Sequence, residues 1–200
     1  MTELSPPPMR TDAEKTRPPM GFLRYESPQA LFINLPQIAE LTQQRPRAVE
    51  DSLAFLTRLR SSPTPEDALT FTAFAALPQT AIRWGYEALR MMADHLDPMD
   101  RPMMELIAAW LRHPATNMRQ RIARDALWAP SRSPSVMLGL AVAWSGGPVA
   151  PNDPLPAPLH RCPRAVNGAV LTCLARTDLR RRPDYLARFV DMAEPLFRAY

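Results

Sequence analysis

From Pro28 onward the apolar positions recur every three to four residues, the period of amphipathic helices, and no segment reads convincingly as a strand. Asn34 followed by Pro36 reads as a helix start continuing through Ile38 and Leu41. Val49, Leu53 and Leu56, with Phe55 and Leu59 on the same side, mark a second helix from about Pro46 to Arg60. Thr64-Pro65-Glu66-Asp67 predicts another N-terminus: a capping hydroxyl, proline in the first turn, and carboxylates at the positive end of the dipole. That helix carries Phe71 and Phe74 and should end before Pro78.

Between Pro78 and Leu96 the charged residues are Arg83, Glu87, Arg90 and Asp94, one narrow stripe on a largely apolar helix that carries Ile82, Trp84 and Leu89. So thin a polar edge predicts the buried, central helix of the fold. Asp100 reads as the cap of a helix bearing Met104, Ile107, Trp110 and Leu111, which Pro114 ends. Residues 115–128 form a shorter helix whose outer surface presents Arg119, Arg121 and Arg124. Ser133-Pro134 opens a buried helix that closes at Trp144-Ser145-Gly146-Gly147, where glycine should supply a left-handed cap. Ala165, Gly168, Ala169 and Thr172 give the next helix a small-residue face. A last helix starts at Pro183-Asp184, with Pro195 expected to kink it late. The pattern therefore predicts an all-α fold: one irregular bundle of eight or nine helices. Four of them carry one tryptophan each, Trp84, Trp110, Trp128 and Trp144, expected around one shared core.

Composition sharpens this in two places. The 24 prolines cluster before residue 30 and again from Pro148 to Pro163. They divide the chain into a flexible leader, residues 1–27, and a helical domain, residues 28–200, with a long connection before the last two helices. Within the leader Met20, Phe22, Leu23 and Tyr25 form an apolar knot. It could dock a partner, although folding back onto its own domain is the simpler reading. The net charge of +4 rests almost entirely on arginine, Lys15 being the single lysine, and only residues 131–200 are noticeably basic. That is too little for a nucleic-acid footprint. No basic and apolar leader marks secretion, and the apolar run Val136 to Trp144 is too short to span a bilayer, so a cytoplasmic protein without membrane insertion is expected.

Candidate chemistry is sparse. Asp94, His95, Asp97 and Asp100 fall within seven residues and could be a hard-cation site for a metal-dependent enzyme. Pro98 interrupts them, no glycine allows a tight wrap, and a helix cap explains Asp100. His160 and Cys162 with Cys173 lack the paired spacing of structural zinc. Whether the two cysteines pair is open. Ser145 beside two glycines follows a helix, not a strand, so it is no nucleophile elbow. Neither a catalytic residue nor a cofactor is implied. Arg119, Arg121 and Arg124, and Arg180-Arg181-Arg182, could meet DNA phosphates, but no interleaved aromatic or helix-turn-helix pattern supports them. Met91, Met92, Met99, Met103 and Met104 could form an adaptable partner groove or simply fill core.

Residues from about Thr64 to Ala175 resemble an uncharacterised family of helical bacterial proteins. The likeness lies in Pro65-Glu66-Asp67-Ala68, Leu77-Pro78 with Trp84, and Ala109-Trp110-Leu111 with Pro114 and Arg119. It continues in Ala143-Trp144-Ser145-Gly146-Gly147 with its proline-rich run, and in Arg164-Ala165-Val166 with Gly168-Ala169-Val170-Leu171. The resemblance links the chain to type VI secretion gene neighbourhoods and implies an accessory or adaptor role without a catalytic residue. The expectation is thus a non-enzymatic adaptor that meets another protein through Met20, Phe22, Leu23, Tyr25, Met99, Met103, Arg119, Arg121 or Arg124.

Overall fold

The computed structural model describes residues 21–150 and 152–198, and these form an all-α fold. Met20 and the rest of the leader before it lie outside the described residues. The nine α-helices among the described residues are α1 (Pro28–Asn34), α2 (Ser52–Arg60), α3 (Asp67–Ala75), α4 (Pro78–Met91), α5 (Arg101–Arg112), α6 (Thr116–Leu127), α7 (Pro134–Trp144), α8 (Arg161–Ala175) and α9 (Arg182–Arg198). No helix among them is long and apolar enough to cross a membrane.

Local chemistry sets several boundaries away from where the hydrophobic pattern puts them. The first helix starts at Pro28, six residues before Asn34, because the Ser27 hydroxyl accepts the Ala30 N–H at 3.1 Å; Pro36–Glu40 is a separate 3-10 turn. Asp51 does the same for α2 through the Ala54 N–H at 2.7 Å, which leaves Val49 outside the helix and 99% exposed. Helix α3 begins at Asp67 rather than at Pro65, the position after the expected Thr64 cap. The Thr64 hydroxyl donates to the Asp67 carboxylate, which also accepts the Gln43 and Gln44 N–H groups at 2.8 and 3.0 Å. The last residues of the expected leader are strapped to the body: Arg24 N–H bonds Ala75 O, Leu77 N–H bonds Phe22 O, and Leu23 is 2% exposed.

Helix α4 is central in its neighbours, packing against α3, α5, α7, α8 and α9, but it is not the most enclosed helix. That helix stops at Met91, and its charged stripe is its solvent edge, with Arg83 and Arg90 exposed. The enclosed helices are α3, every residue of which is buried, and α7, where only Met137 and Trp144 are not fully buried. After Asp67 neither has a charged side chain to keep in water, so each is wrapped on all sides. Helix α7 packs against α4, α5, α6 and α8, and α3 against α2, α4, α8 and α9. Gly139 makes the fit around α7 possible: a Cβ there would lie 2.8 Å from Met103 Sδ and 3.2 Å from Ala126 Cβ. Helix α9 continues through Pro195 to Arg198.

Phenylalanine, not tryptophan, dominates this core. Phe71 packs edge-on against Phe55 at 4.8 Å and stacks on Phe197 at 5.4 Å, so one ring joins α2, α3 and α9. Trp84 and Trp110 are buried, and Trp84 Nε1 donates to Phe189 O at 3.0 Å. Trp144 is half-buried against the core. Trp128, expected there too, is 82% exposed. Phe71→Ala should cost about 3–5 kcal/mol in urea unfolding, while Val49→Ala stays within about 0.5 kcal/mol; equal effects would contradict this core.

Candidate functional site

Trp128 stands outside because of the face it occupies. Asn117, Arg121, Arg124 and Trp128 are spaced i, i+4, i+7, i+11, a single stripe along α6, whereas Ile122 and Ala126 turn inward and are fully buried. The end of α6 is satisfied by Arg132, whose guanidinium donates to Ala126 O at 3.1 Å and Ala129 O at 3.3 Å. Two grooves share Trp128 as a common wall. One, of about 600 Å³, is lined by Arg119, Arg121, Arg124, Leu127 and Gly147. The other, of about 480 Å³, is lined by Met99, Pro102, Met103, Leu106 and Val136, with Asp97, Asp100 and Asp125 at its polar margin. Asp125 lies 3.9 Å from Arg121 and 3.7 Å from Arg124, exposed pairs that leave the cations largely unspent.

Five of the surface residues singled out in the sequence thus converge on one place. Met99 is 84% exposed on the rim of the apolar groove, Met103 is buried in its floor, and the three arginines line the other groove. Phe22, Leu23 and Tyr25 belong elsewhere: Leu23 is sealed into the core, Tyr25 packs against it, and Phe22 is exposed. Met20 lies outside the described residues. The remaining methionines divide, Met92 being buried, Met104 half-buried and Met91 exposed. The second arginine cluster is occupied at the α8–α9 turn, where Arg182 meets Glu66 at 3.4 Å and Arg181 lies over the Tyr185 ring. Trp128 itself went unrecognised because its residue type suggested core; the i, i+4, i+7, i+11 spacing with two arginines was the available signal.

The glycine pair after α7 does not cap it as expected. Gly21 is the one glycine with positive φ among the described residues. Gly146 and Gly147 instead make room for Arg119: a Cβ at Gly146 would lie 2.8 Å from Arg119 Nη1, and one at Gly147 would lie 3.3 Å from it and 2.8 Å from Ala143 O. Ser145 donates its hydroxyl to Val142 O at 2.8 Å, as a residue closing a helix does.

The Asp94–Asp100 stretch does not assemble as a metal site. Among the described residues no group of three His, Cys, Asp or Glu side chains converges as a metal would require. Asp94 and Asp97 face solvent. Asp100, 1% exposed, accepts hydroxyl hydrogen bonds from Ser133 and Ser135 at the head of α7 and the Asp97 N–H at 3.1 Å. Its capping is thus one turn earlier than expected: with Asp97 it forms a capping box on the 3-10 turn Pro98–Asp100 that leads into α5, while its bonds to Ser133 and Ser135 tie that end of α5 to α7. Arg176 at the end of α8 approaches Asp100 at 3.5 Å and Asp97 at 3.1 Å. Burial pushes the Asp100 carboxyl up, but the two serines, the Asp97 N–H and Arg176 together outweigh it and hold it below the usual range. Cys162 and Cys173 are free and buried; burial pushes the first thiol up to about 12 and the second to about 11. Both lie on α8, roughly 16 Å apart along the axis at ~1.5 Å per residue, so they cannot pair while α8 is intact.

Because the folded Asp100 binds its proton less readily than the unfolded chain, its stabilisation is complete above about pH 4 and is lost as pH falls through its lowered value. Asp100→Asn should cost about 1–3 kcal/mol in urea unfolding at pH 7, and this gap should shrink toward pH 3. A gap independent of pH would contradict a paired carboxylate.

Neither a curated protein nor a solved structure matches the chain. Residues 55–197, from α2 to the end of α9, match the model of a family of unknown function, DUF6931, a wider stretch than the Thr64–Ala175 motifs cover. Well over half of the sequence lies within that match, and the chain belongs to this family.

Proposed function

We propose that this chain is a cytoplasmic, non-enzymatic adaptor or assembly protein that engages another protein through the Trp128 surface, in a bacterial secretion system of the type VI kind. The observation that carries the reading is the placement of Trp128, 82% exposed between an apolar and a basic groove. Leaving an indole in water forgoes on the order of 4 kcal/mol, at ~25 cal/mol per Å² over roughly 150–250 Å². A partner that covers it recovers this. Tryptophan and arginine dominate the centres of protein interfaces, and methionine adapts to the shape of what it meets. All three types meet here. The secretion-system context rests on the motif resemblance around Trp144-Ser145-Gly146-Gly147.

Site-specific photo-crosslinking in the source cells tests this reading. A benzophenone amino acid at position 128 should capture a discrete partner protein; the same group at position 49, still more exposed on another part of the chain, should not. Capture should fall sharply with Arg124→Glu. The same adducts at both positions, or none at 128, would overturn the reading.

A further inference from the structure

Arg119 differs from the protein's other arginines near the groove. Arg132 spends its guanidinium on helix-end carbonyls, and Arg121 and Arg124 share Asp125. Arg119 is half-buried, and beyond its backbone N–H bond to Ala115 O its guanidinium makes no hydrogen bond or ion pair among the described residues. Its guanidinium tip lies over the Gly146-Gly147 backbone, in space that any side chain at Gly146 would fill. A half-buried arginine whose guanidinium N–H donors are free beside a groove can receive an acceptor from outside, and a carboxylate matches its fork in two parallel bonds. The residues lining this groove include three arginines and no acid.

We infer that Arg119, seated on Gly146-Gly147, is the receptor for a carboxylate of the partner protein, whose docking segment is acidic and carries an apolar residue beside that acid to cover Trp128. The inference rests on the protein-binding reading above and adds the chemistry of the partner. A nucleic acid fits less well. Beyond Trp128 the surface continues into the methionine groove, at whose margin Asp97 and Asp125 are exposed, so a run of phosphates would leave the arginines and meet carboxylates. A peptide changes character from one residue to the next and can match both grooves.

The test uses the full chain, fluorescence anisotropy and three labelled probes: a peptide of Glu, Asp and Leu, its Gln, Asn and Leu counterpart, and oligothymidylate. The acidic peptide should bind and the amide peptide should not. Arg119→Gln should weaken binding about ten-fold or more, the worth of a charge-assisted pair. Gly146→Ala should do the same, because the added methyl meets only the flexible tip of Arg119 and displaces it without disturbing the fold, which an unchanged thermal melt would verify. The double variant should bind no more weakly than Arg119→Gln alone, since both act through one guanidinium. Equal binding of the acidic and amide peptides, no binding of the acidic one, no effect of Arg119→Gln, or tighter binding of oligothymidylate would overturn the inference. Partner capture at position 128 that survives Arg119→Gln would sink the carboxylate receptor alone. Arg119-dependent peptide binding without any capture at 128 would sink the adaptor reading alone.

Discussion

The enclosure of α7 is the constraint from which the rest of this structure follows. A helix with no charged side chain from Pro134 to Trp144 has nothing to offer water, so α4, α5, α6 and α8 close around it. Gly139 lets Met103 and Ala126 come close enough for α5 and α6 to seat. That seating fixes which way α6 faces: Ile122 and Ala126 go inward, and the Asn117–Arg121–Arg124–Trp128 stripe is left to solvent. The candidate surface is the outer side of a helix whose inner side is dictated by α7.

Both ends of α7 then shape that surface. At its head Ser133 and Ser135 hold the Asp100 carboxylate, which brings the start of α5, with Met99 and Met103, beside Trp128. Uncompensated, a carboxylate this deeply buried would be destabilising; two hydroxyls, a backbone N–H and Arg176 compensate it. At its tail the Ser145–Gly147 turn makes the bed for Arg119. One buried helix thus ends in a polar knot under the apolar groove and a glycine cradle under the basic one.

Much of this was legible in the sequence, and the failures have physical causes. The helical period, the prolines ending α3 and α5, and the charge-free run of α7 are local, and the chain states them directly. Four-residue contests at helix starts went otherwise, since Ser27 and Asp51 cap where hydrophobic periodicity gave no sign. Helix α4 has the central neighbours expected of it but not the deepest burial, because a thin charged stripe still demands one open side, whereas α3 and α7 demand none. Asp100 finds Ser133 and Ser135 across 33 and 35 residues, a pairing no local pattern encodes. Residue type misled at Trp128 and at Gly146-Gly147: tryptophan suggested core, and paired glycines suggested a left-handed cap. In each case the surroundings decide, and they belong to other helices. Arg119, Arg121 and Arg124 were readable as an outer face, but not as one wall of a groove that Met99 and Met103 continue.

Amide hydrogen exchange on the full chain, alone and bound to the protein captured at position 128, tests the central claim most directly. The account predicts slowed exchange in α6, around Met99 and Met103, and through the turn at Gly146-Gly147, with α9 and the Arg83–Arg90 edge of α4 unchanged. Protection confined to α9 or α4, with α6 exchanging as in the free protein, would contradict it.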